Sequence, residues 1–214
     1  MPLATLLAAT LLAAGSVERV ANFQERDLKP WILPQPADWE IASEPGPAPN
    51  HFLRLRTPGA IGSPRRPLQY ALHRDLCLGD FDLRVKVRRA GRSLLIAFGY
   101  QDTLHFYYAH LSSDNGDHAV HNGLFKVDGG ERFRIAGQGS APALPDGNWR
   151  QIRIVREAAS GKIEVFAGDG ANPLFRCQDN SFRFGRVGLG SFNETGDFDD
   201  FRIQGRPVPG CAAP

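Results

Sequence analysis

The chain has 214 residues, of which 42% are hydrophobic and 22% are charged, with 14 Phe, 23 Gly, 16 Pro and a single Met. This length holds one large all-β domain or two small domains, and the composition excludes intrinsic disorder and collagen-like repeats. The 25 basic and 23 acidic residues leave a formal net charge of +2. That balance argues against a nucleic-acid partner, because such proteins need a concentrated basic face.

The chain begins with its only long apolar run, Leu3 to Ala14 (LATLLAATLLAA). This run is too short to cross a hydrocarbon core about 30 Å thick, which needs about 20 residues. Small residues at positions 13–16 fit the cleavage rule of a secretory signal, although no Lys or Arg precedes the run. We therefore predict a signal peptide over residues 1–16, no membrane span, and a secreted or periplasmic protein. A buried or irregular N-terminal segment is the alternative.

The three cysteines are Cys77, Cys177 and Cys211. In an exported protein they meet an oxidising environment in which disulfides persist. An odd number allows at most one internal pair and leaves one thiol over, and the sequence does not choose the pair. No C-x-x-C spacing indicates a zinc site.

In chain order, residues 22–67 are Pro-rich and are predicted to form extended coil and short edge strands around a core made by later segments. Within them, His51–Arg56 alternates and predicts a strand. Phe81–Arg88 (FDLRVKVR) alternates strictly between apolar and charged residues. A period of two predicts a half-buried strand with its charged residues on the outer face.

Further strands are predicted by similar runs that lie between turn signals such as Asn115-Gly116 and Asp146-Gly147. They cover Leu94–Tyr100, Leu104–Leu111, Leu124–Asp128, Glu131–Ala136, Asn148–Arg156, Lys162–Ala167, Arg186–Asn193 and Phe198–Gln204. No stretch of 11 residues or more shows a helical period. Short, regularly spaced strands predict an all-β protein, in which residues 17–214 form a single antiparallel β-sandwich, most simply a jelly roll.

Two segments near the C-terminus resemble a known fold family. Trp149–Phe166 (WRQIRIVREAASGKIEVF) and Gly185–Ile203 (GRVGLGSFNETGDFDDFRI) resemble the closing strands of concanavalin-like, laminin-G-like jelly rolls. More narrowly, residues 23–205 resemble secreted bacterial proteins grouped with 3-keto-disaccharide hydrolase-like domains. The resemblance implies a β-sandwich and a carbohydrate partner. It does not choose an activity, because this fold hosts lectin-like modules, glycosidases and polysaccharide lyases.

Four of the six histidines lie in one segment, Leu104–Asn122 (LHFYYAHLSSDNGDHAVHN). Alternation along a strand places Tyr107 on the same face as His105, and Tyr108 on the same face as His110. The sequence does not decide which face is buried. The loop that follows adds three further polar side chains, those of His118, His121 and Asn122. Tyr, His and Asn are side chains that bind sugars on concave sandwich faces, so we predict a carbohydrate site here.

Two alternatives to this site remain open. The histidines can be ordinary solvated or hydrogen-bonded side chains, and Tyr107 and Tyr108 can be an aromatic pair of a strand. His118 and His121 can also bind a metal, because neutral imidazoles bind first-row cations.

The same segment suggests proton chemistry. A glycosidase normally needs two carboxylates that flank the bond, and the E-x-D-x-x-E strand signature of laminarinase-type jelly rolls is absent. A His/Tyr pair can instead remove a proton next to a carbonyl or carboxylate and protonate the leaving oxygen. In this hypothesis the base is His110 or His121, and the acid is Tyr107 or Tyr108. His105, His118 and Asn122 bind the substrate.

Two more positions complete the predicted site. Gln151 and Arg153 alternate with isoleucines on their strand, so they point away from the core and are expected to line the same groove. A solvated sheet face is the alternative. The resemblance also implies a structural Ca²⁺, held by Asp199 together with carbonyl oxygens of the N-terminal region.

Together these features predict a secreted carbohydrate-active protein that cleaves glycosidic bonds in an oligo- or polysaccharide, by keto-glycoside hydrolase or lyase chemistry. A non-catalytic, lectin-like glycan-binding module is the alternative.

Overall fold

The computed structural model describes residues 15–118 and 121–211. Residues 1–14, which make up most of the predicted signal peptide, lie outside the described residues. The described residues form fourteen strands and one short 3-10 turn at Pro36–Asp38, which confirms the all-β prediction. No helix in this part of the chain is long and apolar enough to span a membrane.

The strands are numbered in chain order. They are β1 Val17–Ala21, β2 Trp31–Ile32, β3 Trp39–Ser43, β4 His51–Leu55, β5 Gln69–Arg89, β6 Ser93–Asp102, β7 His105–Ser112, β8 Gly123–Asp128, β9 Phe133–Ala136, β10 Arg150–Glu157, β11 Lys162–Ala167, β12 Phe175–Gln178, β13 Gly185–Ser191 and β14 Gly196–Pro207.

The 21-residue strand β5 joins the two layers of the sandwich. Its first part pairs with β2 and β13, and its second part pairs with β10 and β14. The first part continues through β13, β6, β7, β8 and β9, which we call the front sheet. The second part continues through β10, β11 and β12 on one side and through β14, β1, β4 and β3 on the other, which we call the back sheet. All of these pairings are antiparallel, as predicted.

The main core lies between the two sheets. Phe81, Leu83, Val85 and Val87 of β5 are buried in it, and the charged residues between them face outward, as the alternation predicted. The ring of Phe81 lies 5.9 Å from the ring of Phe98 on the front sheet, edge to face. Burial of apolar side chains from both layers therefore holds the sandwich together.

A second cluster of buried residues covers the outer surface of the front sheet, with Phe106, Tyr108 and Phe125 among its members. The Pro-rich segment 56–68, which we call the strap, lies across this surface. Arg66 Nε donates to the carbonyl of Thr103 at 2.7 Å, and the Arg132 N–H donates to the carbonyl of Arg65 at 3.2 Å. The strap covers one of the two faces of this sheet between which the sequence did not decide.

A disulfide joins Cys77 on β5 to Cys211 near the C-terminus, with a Cα–Cα distance of 5.8 Å. Cys177 on β12 is the free thiol of the three. Burial raises the pKa of this thiol to about 11, so it carries little of the reactive thiolate at neutral pH. The tertiary structure thus chooses the pair that the sequence left open.

Candidate functional site

Strand β7 carries four of the predicted site residues, but it divides them between two faces. Tyr107 points into the main core, where it is fully buried. Its hydroxyl donates to Asp179 Oδ1 and accepts a hydrogen bond from the Phe182 N–H at 3.0 Å. Burial, and then the Asp179 carboxylate, raise its pKa to about 12. Tyr107 therefore anchors the segment around Asp179 inside the core and faces no groove.

Lys126 completes this internal network. Its ammonium donates to Asp179 Oδ2 at 3.0 Å and to Ser181 Oγ at 2.6 Å. The pKa of Asp179 is held well below its usual range by hydrogen bonds, of which the bond from Tyr107 is the largest, against the opposing effect of burial. Lys126 is buried and Asp179 is partly buried, and both charges have their hydrogen bonds within the protein, so the pair links β8 to the segment around Asp179.

Tyr108 and His110 lie on the opposite face of β7, where both are buried. The Tyr108 hydroxyl accepts a hydrogen bond from Arg132 Nη1 at 3.1 Å, and burial raises its pKa well above the ordinary value. His110 is buried, with Nε2 2.9 Å from Ser93 Oγ. Both side chains are closed off from solvent in this arrangement.

The structure places His121, another predicted site residue, beside His110. The two rings lie 5.4 Å apart, edge to face. His121 is partly exposed, and its Nδ1 is hydrogen-bonded to Asp114 Oδ2. A carboxylate on one ring nitrogen fixes the tautomer and orientation of an imidazole, which is an arrangement that general bases use.

Asn122 has a structural role. It is fully buried and has a positive φ of 52°. Its amide group donates to Ala141 O at 2.7 Å and accepts from the Ala143 N–H at 3.0 Å. These hydrogen bonds join the loop after β7 to the segment before β10, so the side chain has no free group for a substrate.

The other two histidines of the segment Leu104–Asn122 lie near solvent. His105 is partly exposed at the start of β7, with Nδ1 2.9 Å from the Asp102 carboxylate. His118 is exposed in the loop after β7, and its carbonyl accepts a hydrogen bond from Arg134. In the described part of the chain, no group of three or more His, Cys, Asp and Glu side chains converges as a metal site.

Gln151 and Arg153 lie on the outer face of the back sheet, away from the histidine segment. They line a cavity of about 360 Å³ together with Phe166, Arg84 and the turn 168–171. A neighbouring cavity of about 200 Å³ shares Arg84 and is lined by Glu18, Asp82, Arg202 and Gln204. We call the two cavities together the back-sheet groove.

The Arg153 side chain is held rigidly in this groove. Its Nε and Nη2 contact the Asp82 carboxylate at 2.9 and 2.6 Å, a two-point ion pair. Its guanidinium also lies 5.4 Å from the centre of the Phe166 ring. A fixed guanidinium, a half-buried aromatic ring and the Gln151 amide offer both stacking and directional hydrogen bonds to a ligand.

Besides the turn 168–171, sequence reasoning missed six residues of the groove, namely Asp82, Arg84, Phe166, Arg202, Gln204 and Glu18. The alternation of Phe81–Arg88 already placed the first two on an outer face. Their position beside Gln151 and Arg153 depends on the register between β5 and β10, in which Arg84 lies opposite Arg153. The spacing along the chain does not encode that register.

Asp199, the predicted calcium ligand, is buried on β14. Its carboxylate accepts hydrogen bonds from Asn50 Nδ2 at 2.8 Å and from the Asp200 N–H at 2.7 Å. Burial raises its pKa above the ordinary value, so its charged form lacks full compensation from its neighbours.

Asn50, whose amide contacts this carboxylate, also belongs to a group of oxygen atoms in the N-terminal region. Gln24 Nε2 lies within 3.1 Å of three of them, Asn22 O, Asn50 Oδ1 and His51 O. An amide nitrogen has only two hydrogens for these three acceptors. A carboxylate together with carbonyl and amide oxygens is the hard donor set that Ca²⁺ prefers, so these residues fit the implied ion.

Comparison with solved structures places this architecture among concanavalin-like jelly rolls. The carbohydrate-binding module CBM66 from Bacillus subtilis aligns with a TM-score of 0.56 at 14% identity, over 81% of this chain and 94% of the module. The acidic lectin of winged bean, in complex with methyl-α-D-galactose, aligns with a TM-score of 0.56 at 11% identity, over 90% of this chain and 99% of the lectin.

A third similar structure is the GH43 protein BlXynB from Bacillus licheniformis, with a TM-score of 0.62 at 17% identity. The alignment covers 87% of this chain but only 39% of that protein. No protein-family model matches the sequence, and no curated protein matches it either. At these identities the similarity establishes the fold.

Proposed function

We propose that the protein binds carbohydrate through the back-sheet groove, as a non-catalytic module. The observation that carries this proposal is the open cavity in which Gln151, Arg153 and Phe166 meet. Ligand sites combine apolar or aromatic surface with a few fixed polar groups, and these three side chains have that composition. The fold is also shared with a carbohydrate-binding module and a lectin, which supports the same class of ligand.

The burial of the predicted acid and base supports binding over cleavage. Tyr107 lies in the main core, whereas Tyr108 and His110 are buried on the opposite face of β7. A proton donor and acceptor must reach the same substrate atoms within hydrogen-bond distance, and Tyr107 is separated from His110 by the sheet itself.

Calorimetric titration with a panel of oligosaccharides tests the proposal. We expect Gln151→Ala and Phe166→Ala each to weaken binding by about tenfold, which corresponds to about 1.4 kcal/mol. Matched controls are Gln178→Ala and Phe133→Ala, which remove the same side chains from exposed positions on β12 and β9. Unchanged affinity in both groove variants contradicts the proposal.

Cleavage of glycosidic bonds, by keto-glycoside hydrolase or lyase chemistry, is the second candidate function. The observation that favours it is the His121–Asp114 pair, because its carboxylate orients a partly exposed imidazole. In this case His121 is the base and His110 its neighbour. His121→Asn should abolish turnover of a glycan, and His118→Asn, an exposed histidine of the same loop, should not. Equal turnover in both variants rules out this candidate.

We also propose a structural Ca²⁺ held by Asp199 together with oxygens of Asn22, Asn50 and His51. An ion that binds only the folded state raises its stability by mass action. Addition of Ca²⁺ after EDTA treatment should therefore raise the Tm of the protein, and the rise should be lost in Asp199→Asn. Asp200→Asn is the control, because the exposed Asp200 carboxylate pairs with Lys86 instead. A Tm that does not respond to Ca²⁺ contradicts this site.

Export to an oxidising compartment is the localisation that we propose. The Cys77–Cys211 disulfide supports it, because structural disulfides are rare in reducing compartments. Mass spectrometry of the protein from culture medium or periplasm would test it by locating the mature N-terminus, which we expect near residue 17.

A further inference from the structure

Three arginines lie directly opposite one another on neighbouring strands at the floor of the back-sheet groove. Arg84 on β5 is opposite Arg153 on β10 and also opposite Arg202 on β14. Neighbouring strands are about 4.8 Å apart, so the whole row spans about 10 Å at the backbone. Like charges directly opposite each other destabilise a sheet. The fold therefore maintains this row at a cost to its own stability.

The two outer arginines each have a close carboxylate partner, and the central one does not. Arg153 Nη2 lies 2.6 Å from Asp82, and Arg202 Nε lies 2.9 Å from Glu18. The nearest carboxylate oxygen to Arg84 belongs to Asp82 and is 3.8 Å away. That same oxygen is already bonded to Arg153. Three guanidinium groups thus share two carboxylates, and the excess positive charge is centred on Arg84.

The exposure of Arg84 makes this charge available to a ligand. Its side chain is 54% exposed, and it lines both cavities of the groove. Within the described residues, the Arg84 guanidinium makes no hydrogen bond, and its approach to Asp82 at 3.8 Å is a long ion pair. Its planar fork of N–H donors matches two oxygens of a single anionic group.

We infer that the back-sheet groove selects a glycan with an anionic substituent, a carboxylate or a sulfate ester, which Arg84 binds. The inference rests on the proposed carbohydrate-binding function and names the class of glycan. A charged group at Arg84 places neighbouring sugar units over the two cavities. Gln151 and Phe166 line one of these cavities, and Gln204 lines the other. The glutamine amides supply hydrogen-bond partners for sugar hydroxyls on both sides.

Calorimetric titration tests this inference with three oligosaccharides of equal length. One is neutral, one contains a uronic acid, and one carries a sulfate ester, so the two possible sources of the negative charge are measured separately. We expect at least one acidic oligosaccharide to bind about tenfold more tightly than the neutral one. This preference should shrink as salt is raised, because exposed charges are screened.

The variant Arg84→Gln should remove the difference in affinity between the acidic and the neutral ligand, so the readout is the ratio of the two affinities measured in the same variant. The matched control is Arg206→Gln. Arg206 is 67% exposed on β14, and its guanidinium is also 3.8 Å from an aspartate oxygen, that of Asp80, but it lies outside the groove. The control should retain the preference. Because Arg84→Gln relieves repulsion within the row, its Tm should not fall below that of the wild type.

The outcomes separate the inference from the proposed function. Equal affinity for neutral and acidic oligosaccharides, or a preference that survives in Arg84→Gln, overturns the inference and leaves carbohydrate binding in place. Failure of every oligosaccharide to bind the wild-type protein overturns the proposed function and the inference with it. A Tm of Arg84→Gln clearly below the wild type shows that Arg84 stabilises the sheet, and also counts against the inference.

Discussion

Acid should destabilise this protein through one buried histidine, His73 on β5. His73 is only 4% exposed, and its ring lies 5.3 Å from Trp31 and 6.1 Å from Phe201. Its Nδ1 accepts a hydrogen bond from the Asp75 N–H at 3.3 Å, so this nitrogen is unprotonated. Burial in these surroundings lowers its pKa from 6.5 to about 4.

The size of the effect follows from that difference in pKa. Between pH 6.5 and pH 4 the unfolded chain protonates this histidine and the folded chain does not, so the free energy of unfolding falls as the pH falls. One pKa unit corresponds to about 1.36 kcal/mol, so the full loss is about 3 kcal/mol, of which about 2.5 kcal/mol is reached by pH 4.5. Well above pH 6.5 the contribution of His73 is constant.

Urea unfolding at pH 7.5, 6.5, 5.5 and 4.5 measures this loss. Other groups also titrate in this range, so the comparison is between the wild type and His73→Phe, which keeps a ring beside Trp31 and Phe201. The difference in unfolding free energy between the two proteins should change by about 2.5 kcal/mol from pH 7.5 to pH 4.5. The exposed His118→Phe serves as a control and should follow the wild type. Parallel pH profiles for the wild type and His73→Phe would refute the reasoning.

Three further substitutions test the structural roles of residues outside the groove. Tyr107→Phe leaves Asp179 with one donor fewer, and it should cost about 1–2 kcal/mol in urea unfolding without changing glycan binding; a loss of binding at unchanged stability would contradict this role. Asn122→Ala removes the side-chain hydrogen bonds of the loop and places alanine at a positive φ, which alanine tolerates less well than asparagine. The Tm of this variant should therefore fall more than that of Tyr107→Phe, and an equal or smaller fall would contradict the structural role of Asn122. Cys211→Ser removes the disulfide to Cys77, which lies 134 positions away in the sequence, and should lower the unfolding free energy by roughly 2–5 kcal/mol. Coincident chemical denaturation curves for the variant and the wild type would contradict this expectation.

The success of the strand predictions depended on one face being buried and the other exposed. Phe81–Arg88 satisfies this condition, and its alternation matched the burial of the second part of β5. The first part, from Gln69 onward, was missed because both of its faces are covered: Ala71 packs in the main core, while Tyr70 and Leu72 pack in the cluster on the outer surface of the front sheet. A strand that is buried on both sides loses its period of two.

The candidate site shows the same limit: alternation predicts which side chains share a face, but it does not predict which face is covered. The alternation of the strand by itself determined that Gln151 and Arg153 face away from the core, because neighbouring side chains of a strand point to opposite faces. The clustering of His110 and His121 was also visible, and the structure brings these two rings together. Alternation likewise separated Tyr107 from Tyr108, but it could not decide which of the two faces of β7 was open. In the structure neither is open, since one lies in the core and the side chains of the other are also buried.

By itself, the sequence determined that this is an all-β sandwich, which of its residues face outward on the best-patterned strands, and that its three cysteines allow one disulfide. These properties are local, because they depend on the period of hydrophobic residues along a strand and on composition. Only the tertiary structure decided that Cys77 pairs with Cys211, that the strap covers the front sheet, and that Arg84 lies between Arg153 and Arg202. These properties depend on the register between strands that are far apart in the chain, and that register is set by packing of the whole core.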